Sequence, residues 1–221
     1  MPPESPPEVQ ITRLAEQVLE VYFADQPSAA VTGQIRALQM LLQQDPPAGF
    51  QECVPAYLTL TVFYAGGFQV MREAIAARLA DLSTTPLPAP RVVDIPVCYA
   101  PQYALDLPEV AFHVNLTEAQ VIELHSTPIY TVQMLGFMPG FPYLSGLDDR
   151  LKVPRKAIPR LKVPAGSVGL AGKQTGIYPL DLPGGWQIIG RTAFRLFDAH
   201  RNPPAVLAAG DGVRFVPVSE L

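Results

Sequence analysis

The chain has 221 residues, 48% of them hydrophobic and 16% charged, enough for one large globular domain or two small ones, each with its own core. No apolar run approaches the ~20 residues of a membrane span, and the opening MPPESPPEVQ lacks both segments of a secretory signal, so the expected compartment is a reducing cytoplasm. The net charge of −4 divides as −11 over residues 1–149 and +7 over residues 150–221, which favours an anionic ligand or acidic partner at the C-terminal part and argues against nucleic acid.

The proline-rich first residues predict a frayed, extended tail. Glu16–Ala24 then reads as a strand from its β-branched and aromatic content. Ser28–Gln44 places Val31, Ile35, Leu38 and Leu42 on one helical face, with Ser28 as N-cap. Phe50–Val54 and Tyr57–Tyr64 are strands separated at Pro55, Phe68–Leu82 is a second amphipathic helix, and Arg91–Tyr99 is another strand. The order β-α-β-β-α-β is the split βαβ arrangement of ferredoxin-like folds, with the last strand equally able to open the next domain. The polar, then proline-rich Ser83–Pro90 marks the boundary, giving an α+β protein with domains at 1–88 and 89–221.

Beyond the boundary, residues 106–125 predict two short helices hinged at Asn115. Their spacing imitates a helix-turn-helix, but the second carries Glu118 and Glu123 and no Arg or Lys, so it is read as packing. From Ile129 on, short apolar runs alternate with Gly/Pro corners, the pattern of a closed or nearly closed β-barrel.

The candidate chemistry is sparse. His113, His125 and His200 fall in no zinc spacing, so no metal site is expected. Two roles are open for His125, capping the helix end or lining a cleft. Cys53 and Cys98 sit in apolar strand-like runs and read as small buried hydrophobes, with a disulfide as the alternative. No G-x-S-x-G is present. Ser167–Gln174 approaches a phosphate loop, yet Ser167 replaces the first glycine, Gln174 replaces the magnesium hydroxyl, and a strand follows in place of a helix. Lys173 then reads as a hairpin lysine with an anion as the alternative.

Three stretches remain. Residues 150–162 carry six cations, Arg150, Lys152, Arg155, Lys156, Arg160 and Lys162, held extended by prolines 154, 159 and 164. They form either a solvated strand edge or a capture surface for carboxylate or phosphate. Trp186, the sole tryptophan, follows a diglycine turn and precedes Arg191; core and groove wall are both open to it. Met134–Gly146, MLGFMPGFPYLSG, stiffens its backbone with prolines and bends it with glycines. Phe137, Phe141 and Tyr143 are thereby either displayed to a partner or cleft, or used to plug a barrel end.

In sequence, GFMPGFPYL, PRKAIPRLKVPAGSVGLAG, QTGIYP and PGGWQIIGRT occur together and in order within residues 91–218. This combination resembles the KipI family, also called allophanate hydrolase subunit 1 and now known as the B subunit of 5-oxoprolinase. The resemblance implies a cyclophilin-like β-barrel for the C-terminal domain. It also implies assembly with a KipA-like C component and an A component into an enzyme that opens 5-oxoproline to L-glutamate, driven by ATP. The nucleotide would be bound by the assembled complex, and the lone chain would be inactive. Two other roles attach to the same resemblance: inhibition of a sensor histidine kinase, and carboxyl transfer in urea or allophanate metabolism. On the leading reading Arg155, Arg160 and Arg191 are the catalytic candidates, steadying developing phosphate or substrate carboxylate. Phe137, Phe141, Tyr143, Lys173, Gln174, Tyr178 and Trp186 are the candidates for ligand or partner binding.

Overall fold

The computed structural model describes residues 9–80, 82 and 89–221; the expected tail and most of the Ser83–Pro90 linker lie outside them. The chain divides into two compact units, Met1–Ala89 and Pro90–Leu221.

The first unit is a four-stranded antiparallel sheet, in order β1-β2-β4-β3, with two helices. Its strands are β1 (Gln10–Ala15), β2 (Val18–Tyr22), β3 (Phe50–Pro55) and β4 (Thr59–Tyr64). Alternation along β2 and β4 turns Leu19, Val21, Leu60, Val62 and Tyr64 to one buried face. Helix α1 (Ala29–Gln44) lays Val31, Ile35, Leu38 and Leu42 into the same core, and the Ser28 hydroxyl accepts from the Val31 amide at 3.2 Å to cap it. Helix α2 (Phe68–Ala80) adds Met71 and Ile75.

The expected β-α-β-β-α-β order needs correction. Residues 92–98 do not return to this sheet; the outer place beside β2 is taken by β1, joined to it by a tight turn. A register of seven residue pairs with a strand of the second unit holds 92–98 there instead. The order in this unit is therefore β-β-α-β-β-α.

The second unit is a closed barrel of seven strands, in agreement with the cyclophilin-like barrel that the resemblance implied. It contains β5 (Val92–Cys98), helices α3 (Leu107–Val114) and α4 (Glu118–Ser126), β6 (Ile129–Leu135) and β7 (Pro142–Ser145). Then follow β8 (Arg160–Val163), β9 (Ser167–Ala171), β10 (Gln174–Ile177), β11 (Leu182–Gly184), β12 (Gln187–Arg191) and β13 (Gly212–Val218). Around the barrel the order is β10-β7-β6-β13-β5-β12-β9, while β8 and β11 form a separate two-stranded ribbon. β9 and most of β12 are buried along their whole length, so they read as continuous apolar runs without alternation. Ile95, Val132, Leu144, Val168, Leu170, Ile189, Val213 and Phe215 form the core with Val110 and Val121 of the two helices. Asn115 ends α3 in the left-handed conformation, and Thr117 opens α4 with a reciprocal capping box to Gln120.

His125 neither caps α4 nor lines a cleft. It is fully buried, its ring stacked 4.5 Å from that of Phe215. The Thr175 hydroxyl donates to the Gly169 carbonyl at 3.1 Å, so it accepts from His125 Nε2–H at 2.9 Å; Tyr99 O–H then donates to Nδ1 at 2.8 Å. Both ring nitrogens are thus satisfied, and burial holds the imidazole neutral with its pKa lowered to about 3.

Candidate functional site

A second apolar cluster, distinct from the barrel core, gathers Phe141, Val163, Ala171, Tyr178, Trp186 and Ile188. Phe141 is its hub. Its ring meets Tyr178 and Trp186 edge-on at 5.3 and 5.4 Å, and Phe137 and Tyr143 at 5.7 and 4.9 Å. The rings enclose one side of a cleft of about 230 Å³, lined also by Arg155, Pro159 and Pro183–Trp186.

Local sequence explains the shape. After β6 the chain folds tightly on itself, with the Gly136 amide donating to the Phe141 carbonyl at 3.1 Å and the Phe141 amide to the Met138 carbonyl at 3.0 Å. Gly140 has φ +80 and lies against Phe197, where a Cβ would stand 2.7 Å from that side chain's own Cβ. Phe137 holds φ 65 and is 59% exposed. Bulky residues rarely adopt that conformation, which costs about 1–3 kcal/mol. On the opposite wall a Cβ at Gly184 would lie 2.3 Å from the Tyr178 hydroxyl, so only glycine lets the two approach. Burial raises the Tyr178 pKa; a hydrogen bond from the Trp186 backbone and the nearby charge of Arg155 act against it.

The aromatic candidates thus divide. Phe137 is displayed and Tyr143 is half-buried, whereas Phe141, Tyr178 and Trp186 are buried and form the wall. Lys173 and Gln174 do not line the cleft. Lys173 sits in the β9–β10 turn and pairs with Asp149 at 2.8 Å, and Gln174 begins β10 opposite Ala171.

The cationic strip divides as well. Asp106, 2% exposed, accepts from Arg160 Nη1 and Nη2 at 2.8 and 2.6 Å, from Lys156 Nζ at 3.0 Å and from the Ile188 amide at 2.7 Å. Burial alone would raise this carboxyl; the bonds from Arg160, Ile188 and Lys156 outweigh it and hold the pKa below the usual range. Lys156 also reaches Glu109, Arg150 pairs with Asp148 and Lys162 with Asp181. Arg191 donates to the Ala165 carbonyl at 2.9 Å and lies 6.0 Å over the Tyr103 ring. Arg160 and Arg191 are therefore fastened into the fold. Arg155 is exposed on the cleft and forms no ion pair among the described residues.

Pro159, Pro183, Gly184 and Gly185 belong to the lining although none of them is among the binding candidates; in sequence Pro159 reads as a stiffener and the diglycine as a turn. The GG before Trp186 was the available signal: a diglycine beside a large ring marks a close backbone approach. A wider hollow of about 570 Å³ runs beside α4, lined by Leu116, Gln120, Glu123 and the Asp148–Arg150 pair; it has no aromatic wall. No group of three or more His, Cys, Asp or Glu able to hold a metal occurs among the described residues. Ser167–Gln174 forms β9, a turn and the start of β10, without the helix N-terminus that a phosphate loop uses. No helix among the described residues is long and apolar enough to cross a membrane.

The model of the carboxyltransferase domain, subdomain C and D, matches residues 9–207. The chain belongs to this family. Among family relatives, the 5-oxoprolinase B subunit of Bacillus subtilis (strain 168) is 41% identical over 224 residues, covering 96% of this chain and 93% of the relative. The protein of the same name from Escherichia coli O157:H7 is 48% identical over 171 residues, 76% of this chain and 78% of the relative. Among solved structures, that of TTHA0988 matches with a TM-score of 0.79 at 39% identity over 93% of this chain. This chain spans 40% of that longer protein. These relatives place it in the KipI group, the 5-oxoprolinase B subunits that its motifs resemble.

Proposed function

We propose that the chain is the B subunit of a 5-oxoprolinase, an assembly that opens the lactam of 5-oxoproline to L-glutamate with hydrolysis of ATP. The observation that carries this reading is similarity over 76–96% of the chain to relatives named as the B subunit of 5-oxoprolinase. A KipA-like C component and an A component complete the enzyme.

The geometry supports a shared site over a self-sufficient one. A lactam is a poor electrophile, so its opening needs an activated carbonyl, a nucleotide and a water-derived nucleophile. Among the described residues the cleft offers rings, glycines and one unpaired guanidinium, and no activated nucleophile beside a general base. ATP is assigned to the assembled complex. The exposed Phe137 at the rim, together with Ile158 and Leu161 on the strip, supplies apolar surface for another polypeptide to cover. The family's carboxyltransferase description, with a partial match to a relative named as a putative urea carboxylase, favours a second reading, transfer of a carboxyl group in urea metabolism.

Co-expression with homologues of the A and C components, followed by assay of 5-oxoproline-dependent ATP hydrolysis and glutamate release, tests the proposal. Activity is expected only when all three are present. Turnover by the lone chain would refute the shared site, and an inactive full set that instead restores growth on urea would favour the carboxyltransferase.

A further inference from the structure

The cleft combines features that the fold does not need for itself. The Arg155 backbone is pinned on both sides: Gln187 Nε2 donates to the Pro154 carbonyl at 3.2 Å, and the Lys156 amide donates to the Gly185 carbonyl at 2.7 Å. The guanidinium is thus presented from a fixed point beside a wall of rings, while Lys156, Arg160 and Lys162 along the same strip take up local carboxylates. Phe137 is kept in a costly backbone conformation with its ring outward. At about 230 Å³ the cleft falls below the ~300–1,000 Å³ of sites for drug-sized ligands, so it suits a single small ring.

From this geometry we infer that the cleft is the binding site for the lactam acid itself, with Arg155 on the carboxylate and the ring lying against the wall formed by Phe137, Tyr143 and Trp186. The inference rests on the 5-oxoprolinase reading for the identity of the ring. Its chemistry, however, follows from the cleft: an aromatic wall in a small cleft favours a compact, largely apolar ring, and a planar guanidinium selects a carboxylate over a neutral end. The chain then contributes substrate capture, and nucleotide chemistry arrives from the other components. Arg155 acts as a substrate-binding residue and moves no proton.

Trp186 is the sole tryptophan of the chain and lines the cleft, so its fluorescence reports occupancy directly. Titration of the isolated chain with 5-oxoproline should give a saturable change. The same ring without a carboxylate, 2-pyrrolidone, should bind at least about tenfold more weakly. Arg155→Ala should weaken 5-oxoproline binding roughly ten- to hundredfold, the range for a lost hydrogen bond to a charged group, and Arg155→Lys should recover part of it. Arg155 is exposed and forms no ion pair among the described residues, so circular dichroism and melting temperature should be unchanged in both variants.

Absence of a saturable change in the native chain, or equal binding by Arg155→Ala, overturns the inference. In the assembled complex Arg155→Ala should raise KM for 5-oxoproline and leave the ATP dependence unaltered. An active complex whose KM ignores Arg155→Ala removes the cleft assignment and leaves the 5-oxoprolinase reading standing. A full set inactive on 5-oxoproline, with the lone chain still capturing it through Arg155, removes that reading and keeps the cleft as a site for carboxylated rings.

Discussion

His125 shows how far a single side chain can depart from its sequence context. In the chain it ends an amphipathic segment and precedes a turn, which points to a cap. In the barrel it is enclosed by Tyr99, Tyr130, Thr175 and Phe215, and burial holds it neutral with a pKa lowered to about 3. Tyr99 and Tyr130, the titratable groups facing it, are pushed upward by burial and stay protonated in the acid range. Between the unfolded value near 6.5 and about 3, the unfolded chain takes up a proton that the folded chain refuses. Its contribution to stability is therefore complete above pH 6.5 and falls by about 1.4 kcal/mol per pH unit below it. Urea denaturation across this window should show a shallower acid slope for His125→Gln than for the native chain, whatever the variant's absolute stability. Equal slopes would mean that another group sets the acid limb. The candidate residues were similarly legible by type and obscure by partner. Six cations on a strip are plain in the sequence; that Arg160 and Lys156 converge on Asp106, some fifty positions earlier, is not. The partner is supplied by the barrel's closure, and only closure shows that, of the strip's cations, Lys152 and Arg155 form no ion pair among the described residues and that Arg155 is the one of these two on the cleft.

Elements whose signals are local were the ones the sequence could specify. The face Val31–Ile35–Leu38–Leu42 with its Ser28 cap, and the hinge at Asn115 between α3 and α4, depend on contacts within a turn or two. Strand membership was harder, because a strand's partner is decided by long-range pairing. Val92–Cys98 had strand character from its β-branched residues, but only its register with Gly212–Val218 assigns it to the barrel. The strand β1 escaped notice altogether: five of its six positions are exposed, so burial leaves little apolar alternation to read. The capping box of α4 gives this scale its test. Thr117→Ala removes the hydroxyl that accepts the Gln120 amide at 3.2 Å, and should lower stability by about 0.5–2 kcal/mol, read as a lower melting temperature. Because α4 also delivers His125, the near-ultraviolet signal of Tyr99 and Tyr130 should loosen together with the helix. Loss of helix signal alone would uncouple the two.

At the scale of the molecule, each unit carries a core of its own. The first gathers residues from Leu19 to Ile75, the second from Ile95 to Phe215. Residues 90–221 expressed alone should therefore melt in one cooperative transition and retain the Trp186 response to 5-oxoproline. A fragment without a cooperative transition would show that the barrel depends on the preceding unit. The charge division that the sequence displays weakens once pairs are counted in space: Arg150, Lys156, Arg160 and Lys162 are neutralised within their own unit. The exposed pairs, Arg150–Asp148 and Lys162–Asp181, contribute little individually, yet together with the buried Asp106 cluster they leave less bare charge for a partner than the composition implies. Recruitment of the other components should accordingly rest on apolar surface such as Phe137, Ile158 and Leu161.

The place of β13 has a consequence for biosynthesis. It lies between β5 and β6 and is the last of the barrel's strands to leave the ribosome, pairing with β5 residues translated 120 positions earlier. At 5–20 residues per second, β5 waits roughly 6–24 seconds with that edge open. During that interval the first unit can already be complete, while the half-made barrel offers unpaired backbone to any neighbouring nascent chain; chaperone occupancy during translation should peak there and end when residues 212–218 emerge.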